Sequence, residues 1–161
     1  MPVRPPAGSL EMLLATWLYC GLSPKAPGTV GSLGALPFAW AILHFGGWPW
    51  LAAVAVAVTI IGTWATAVVL RRTEVKDPGF IVIDEVAGQW IALLPAGLDP
   101  VLFACGFVAF RLFDILKPWP VSWADRRVAG AWGVMLDDLL AGAYAAATVY
   151  GIGYVLAQMS A

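Results

Sequence analysis

Charge is the scarcest property of this 161-residue chain. Asp, Glu, Lys and Arg make up 12% of it, about half their share in an average soluble domain. Nine basic against ten acidic residues leave a net charge of -1, which gives no basic surface for nucleic acid. There is one histidine, His44, and two cysteines, Cys20 and Cys105, with no CxxC spacing. That excludes a zinc centre, a redox pair and a disulfide scaffold. What is abundant is apolar. Hydrophobic residues reach 61% and mean hydropathy is +0.82, so the chain is read as a bilayer protein, and each ionisable residue becomes informative because lipid makes it costly.

The expected architecture is all-α: a polytopic membrane helical bundle of about four to five transmembrane helices, forming one domain over residues 1–161 after a loose tail at 1–8. Residues 50–70 carry no charge, and 21 residues reach about 31 Å, enough for a bilayer core of roughly 30 Å. Segment 30–45 is apolar but interrupted by Pro37. Segments 80–94 and 100–116 carry internal charges, and 132–157 is the last apolar run. Segment 9–20 is too short to span and is expected to be an interfacial or half-inserted helix. Lys and Arg cluster around 71–76, 117–127 and at Arg4 and Lys25, whereas 44–49 and 95–100 contain none. This asymmetry puts the first set of loops in the cytoplasm.

The same orientation gathers the acids. Asp77, Asp84 and Glu85, Asp114, and Asp137 and Asp138 all approach the cytoplasmic interface, and only Asp99 falls clearly on the far side. Carboxylates brought together repel unless protonated or neutralised by cations. Hard oxygen donors at this density suit Mg²⁺, with Mn²⁺ as the alternative ion. The plainer explanation is acids at helix ends among lipid headgroups. Arg111 and Asp114, spaced i, i+3, share a helix face, either as an intrahelical ion pair or with Arg111 gripping an anionic oxygen. Lys117 follows one turn later. In the segment Ser23-Pro-Lys-Ala-Pro-Gly-Thr-Val-Gly-Ser32, glycines and prolines are expected to break regular structure. Gly28 and Gly31 would turn amides toward an anion, with Lys25, Thr29 and Ser32 as further donors.

Several phosphate chemistries fall away. No GK[ST] completes a Walker A loop, and one histidine excludes a histidine-phosphatase pair. Cys105-x5-Arg111 has cysteine-phosphatase spacing, but it lies inside an apolar helical run whose amides are already bonded. Metal-assisted attack by water is left.

Three blocks then resemble the phosphatidylglycerophosphatase A family. They are Gly21-Leu-Ser-Pro-Lys-Ala-Pro-Gly-Thr-Val-Gly-Ser-Leu-Gly-Ala-Leu-Pro37; Ile83-Asp-Glu-Val-Ala-Gly88; and Phe110-Arg-Leu-Phe-Asp-Ile-Leu-Lys-Pro-Trp-Pro120 with Asp125-Arg126 and Gly133-Val-Met-Leu-Asp-Asp-Leu-Leu-Ala-Gly142. The resemblance implies a bacterial inner-membrane, multi-pass, Mg²⁺-dependent lipid phosphatase. It would remove the terminal phosphate of phosphatidylglycerophosphate with its active site toward the cytoplasm. Asp84, Glu85, Asp137 and Asp138 are the expected metal ligands. Lys25, Thr29, Ser32, Arg111 and Lys117 are the expected phosphate-holding residues. Asp114 or Asp77 is the expected general base, with direct attack by an aspartate also open. Two positions depart from the family pattern: Lys76-Asp-Pro-Gly79 before the first acidic pair, and Ala131-Trp132, which breaks an expected glycine pair. The rivals are a CDP-alcohol phosphotransferase-like enzyme, whose DG-x2-AR motif is absent, and a small cation transporter, whose acids would not favour one side.

Overall fold

The computed structural model describes residues 8–73, 75 and 78–160. All regular structure among them is helical: α1 (Leu10–Ala15), a 3-10 turn (Cys20–Leu22), α2 (Pro27–Leu70), α3 (Ile83–Leu93), α4 (Pro100–Leu116), α5 (Val121–Arg127) and α6 (Gly130–Met159).

α2 has 44 residues and would be about 66 Å long if straight. It is not straight. Gly47 sits at φ 70°, ψ -173°, a conformation open to glycine, and the chain folds back there. Gly31 and Gly62 would lie about 46 Å apart on a straight helix, yet they abut the adjacent residues Val82 and Ile83. The two halves therefore lie side by side, each about 30 Å long. The break falls in the expected 44–49 loop. The helix itself starts earlier than expected, at Pro27, because proline at the first helical position loses no hydrogen bond.

α3 is the middle of the bundle and packs on α6, α2 and α4. Nine of its eleven residues are buried. It spans about 16 Å, short of a bilayer core. Trp90 Nε1 donates to the Ala35 carbonyl of α2 at 3.0 Å. α3 and α6 meet backbone to backbone: a side chain on Gly142 would strike the Gly88 carbonyl, and one on Gly88 would strike the Asp138 carbonyl. Glycine pairs permit this approach between membrane helices.

α2 and α6 are long and apolar enough to cross a membrane, and only 28% and 22% of their most apolar stretches are buried inside the protein. Their outer faces carry Ile60, Trp64, Tyr150 and Tyr154, all exposed. These are faces for lipid rather than for a soluble core. Trp48 and Trp50 are exposed beside the Gly47 break, and Trp119, Trp123 and Trp132 are exposed around α5. Such aromatic groups suit the two interfaces of a bilayer.

The expected N-terminal helix is shorter than 9–20. α1 ends at Ala15, and Trp17, Leu18 and Tyr19 take left-handed φ values of 45°, 54° and 69°. Glu11 pairs with Arg72 at 2.8 Å, and the Ala15 carbonyl accepts from Val82 N–H at 2.8 Å. α1 is thereby tied to the segment that leads into α3.

Candidate active site

The Gly88–Gly142 crossing builds the site. Asp84 lies one turn before Gly88, and Asp138 one turn before Gly142, so the crossing sets the two carboxylates face to face. Asp84, Glu85 and Asp138 each offer an oxygen within 4.8 Å of the others. Asp84 is 8% exposed and Asp138 3%. Asp84 Oδ1, Glu85 Oε2 and Asp138 Oδ2 are buried without a hydrogen-bond partner. Orphaned anionic oxygens in an apolar bundle are costly, and three hard oxygen donors converging on one point fit a divalent cation.

α4 supplies the neighbouring cation. Arg111 Nη1 lies 2.6 Å from Asp114 Oδ2 and 4.0 Å from Glu85 Oε1. The i, i+3 ion pair thus exists, but the guanidinium also reaches the acidic cluster on α3. α2 closes the site from above: Gly28 is so near Glu85 and Arg111 that a methyl group there would overlap Glu85 Oε1 and stand 3.3 Å from Arg111 Nη1.

The expected irregular turn at 23–32 is corrected here. Only 23–26 is non-helical, and from Pro27 onward the glycines serve close packing rather than a nest of amides. A helix start still presents free N–H groups to an anion, and the first turn of α2 does so beside Glu85 and Arg111. Thr29 lies in this turn. Lys25 is exposed just before it, with no ionic partner among the described residues. Ser32 is buried and donates its hydroxyl to the Gly28 carbonyl at 3.0 Å. It supports the turn instead of facing an anion.

A second layer lies beside the cluster. Lys117 Nζ donates to Asp125 Oδ1 at 2.6 Å and to Asp137 Oδ2 at 2.8 Å. Burial pulls the Lys117 ammonium down, but its hydrogen bonds to Asp125 and Asp137 outweigh that and hold its pKa above the usual lysine value. Asp137 Oδ1 accepts from Asp138 N–H at 3.1 Å. Of the four expected metal ligands, Asp84, Glu85 and Asp138 converge, whereas Asp137 is engaged by Lys117. Asp77 lies outside the described residues. Asp125, whose carboxylate braces Lys117, was not among the expected site residues. Its only signal was its place in the Asp125-Arg126 motif. Among the described residues, Arg111 pairs with Glu85 and Asp114 and Lys117 with Asp125 and Asp137, which leaves Asp84 and Asp138 without an ion-pair partner, and that deficit suits added positive charge.

Residues 13–153 match the family described as Phosphatidylglycerophosphatase A. The chain belongs to that family. It is 43% identical over 144 residues to a phosphatidylglycerophosphatase A of Escherichia coli, covering 88% of this chain and 83% of that protein. It is 34% identical to one of Haemophilus influenzae, with 88% of both chains covered. A protein of Bacteroides thetaiotaomicron, provisionally named a phosphatidylinositol-3-phosphatase, is 38% identical, covering 84% of this chain and 88% of its own. No solved structure matches. The family match contains every residue of the cluster, both cations and the first turn of α2.

Proposed function

We propose that this chain hydrolyses the terminal phosphate of phosphatidylglycerophosphate, giving phosphatidylglycerol and phosphate, with Mg²⁺ as the resident cation and Mn²⁺ as a substitute. The observation that carries the reading is the convergence of Asp84, Glu85 and Asp138 with orphaned buried oxygens, beside Arg111 and the first turn of α2. Two relatives named phosphatidylglycerophosphatase A supply the substrate class.

Asp84, Glu85 and Asp138 would hold the cation, which when bound supplies positive charge to the phosphoryl oxygens and to attacking water. Arg111 binds a non-bridging oxygen with its planar fork, and the free amides of the first α2 turn, with Thr29 and Lys25, take the rest of the phosphate. Asp114, ion-paired to Arg111, and Asp77 are the two candidates for the proton of the attacking water. Water oxygen bonds to phosphorus, the ester P–O bond breaks, and the proton the carboxylate takes from the water passes to the glycerol oxygen as it leaves. Lys117 holds Asp137 and Asp125 and thereby fixes α5 against α6.

The membrane arrangement that goes with this reading is multi-pass. Both halves of α2, together with α4 and α6, cross the inner membrane, and α3 is enclosed between them. The Lys and Arg near α5 lie on the cytoplasmic side, and the site opens there at the lipid–water boundary. The test is phosphate release from detergent-solubilised protein given phosphatidylglycerophosphate, with Mg²⁺, then EDTA, then Mg²⁺ restored. Phosphatidylinositol 3-phosphate is the comparison substrate. Release that stops with EDTA and returns with Mg²⁺ is expected. Release indifferent to EDTA would overturn the metal assignment, and no release from phosphatidylglycerophosphate would overturn the substrate.

A further inference from the structure

Next to the acidic cluster lies a polar cleft of about 430 Å³. Asp84 and Asp137 form its inner wall. Asp125 and Arg126, from the last turn of α5, form its outer wall, and Val128, Gly130, Gly133 and Val134 complete the lining. The charges along it are not equivalent. Asp125 is engaged by Lys117 at 2.6 Å, and so is Asp137 at 2.8 Å. Arg126 is exposed and has no ion pair or hydrogen bond among the described residues. The cleft therefore runs from a cation-binding cluster to one uncommitted guanidinium.

That polarity suits a ligand with two anionic groups on a short spacer. If the terminal phosphate sits at the cluster, the next anion along the lipid is the internal phosphodiester, one glycerol unit away. We propose that Arg126 binds this internal phosphodiester and so sets the preference for a lipid with two phosphates over one with a single phosphate. The inference rests on the proposed function above. Guanidinium chemistry supports it, because a planar fork holds a phosphodiester through two oxygens at once. Arg127 provides the contrast: it has the same charge and is also exposed, but it does not line the cleft. A basic residue that merely meets anionic lipid would act alike at either position.

The experiment compares wild type, Arg126→Gln and Arg127→Gln in uncharged mixed micelles. Initial rates are measured on phosphatidylglycerophosphate and on phosphatidic acid of the same acyl chains. Inhibition by phosphatidylglycerol, which keeps the phosphodiester and lacks the terminal phosphate, is measured beside inhibition by inorganic phosphate. Arg126→Gln is expected to raise KM for phosphatidylglycerophosphate about tenfold, the scale of one charge-assisted contact partly screened by water. It should weaken inhibition by phosphatidylglycerol by a similar factor and leave kcat/KM for phosphatidic acid and inhibition by inorganic phosphate near wild type. Arg127→Gln should change none of these. Equal losses on both lipids, equal effects of the two substitutions, or an Arg126→Gln protein indistinguishable from wild type would each overturn the assignment. Where phosphatidic acid turns over too slowly to measure, the inhibitor pair decides alone. A wild type inactive on phosphatidylglycerophosphate would instead refute the proposed function, which separates the two failures.

Discussion

Substituting Gly28 by alanine sets two physical effects against each other. On propensity alone the change is favourable, since glycine inside a helix costs roughly 0.5–1 kcal/mol relative to alanine. The site geometry points the other way. The new methyl would overlap Glu85 Oε1, lie 3.2 Å from Glu85 Cδ and stand 3.3 Å from Arg111 Nη1. Glu85 meets it with the far end of a flexible side chain, so the carboxylate can swing aside at little cost to folding. It then leaves the cluster it forms with Asp84 and Asp138. A misplacement of about 1 Å at a reacting centre can cost about a hundredfold in rate. Gly28→Ala is therefore expected to unfold within about 4 °C of wild type while losing about a hundredfold in phosphate release. Its Mn²⁺ binding, read by electron paramagnetic resonance, should weaken in step. Gly151→Ala is the control: it lies in α6 with nothing within 4 Å of the added methyl, so it should be as stable or more so, with unchanged activity. A Gly28→Ala protein with wild-type turnover and Mn²⁺ affinity would refute the reasoning. So would one whose activity fell only because it unfolded.

The remaining predictions follow from single contacts. Asp84→Asn and Asp138→Asn should each lose at least about a hundredfold in phosphate release, since an amide replaces an anionic ligand oxygen. Asp99→Asn should be near wild type: Asp99 Oδ1 caps α4 by accepting from Val101 N–H at 2.7 Å and Leu102 N–H at 3.1 Å, and asparagine caps as well. Arg111→Lys should fold normally yet lose most of its kcat, because lysine cannot span Asp114 and the phosphate with one planar fork; full activity would leave Arg111 as only an ion-pair partner. Cys105→Ser should be silent, since α4 is continuous through that position and forms no phosphate loop. Lys117→Met should destabilise the protein with a specific pH signature. Because the Lys117 pKa is raised in the fold, its stabilisation is fully present below the unfolded lysine value of about 10.4 and is lost only as pH rises through the higher folded value. The difference in melting temperature from wild type should be flat from about pH 6 to 9 and shrink only in strong alkali; a difference that fell across neutral pH would contradict the contacts with Asp125 and Asp137.

Much of the fold was legible because lipid solvation imposes long uncharged runs. The break near 44–49 was visible, and Gly47 makes it. The start of α2 was not, because its prolines and glycines are equally compatible with a loop. Proline is harmless at a helix start, and Gly28 and Gly31 are there because Glu85, Arg111 and Val82 come close, which only the assembled bundle reveals. α5 is seven residues long, too short to register a helical period. The left-handed turn at Trp17–Tyr19 contains no glycine and gave no local warning.

The site was legible as a set of acids expected to gather, but not in its division of labour. Asp137 and Asp138 are neighbours in sequence, and neighbours on a helix point about 100° apart. One therefore faces α3 and joins Asp84 and Glu85, while the other faces Lys117. A signal for that choice was present. Asp84 is followed four residues later by Gly88, and Asp138 by Gly142, whereas Asp137 is followed by Ala141. Positions i and i+4 share a helix face, so each Asp-x3-Gly marks a face where a second backbone can come close. Two such faces pressed together bring their carboxylates into register one turn away, as the Gly88–Gly142 contact does here. Glu85 has no glycine at that spacing; its longer side chain and the Arg111 guanidinium 4.0 Å from it bring it into the cluster instead. The glycines thus select which acids converge: without that close approach Asp84 and Asp138 would not be brought face to face.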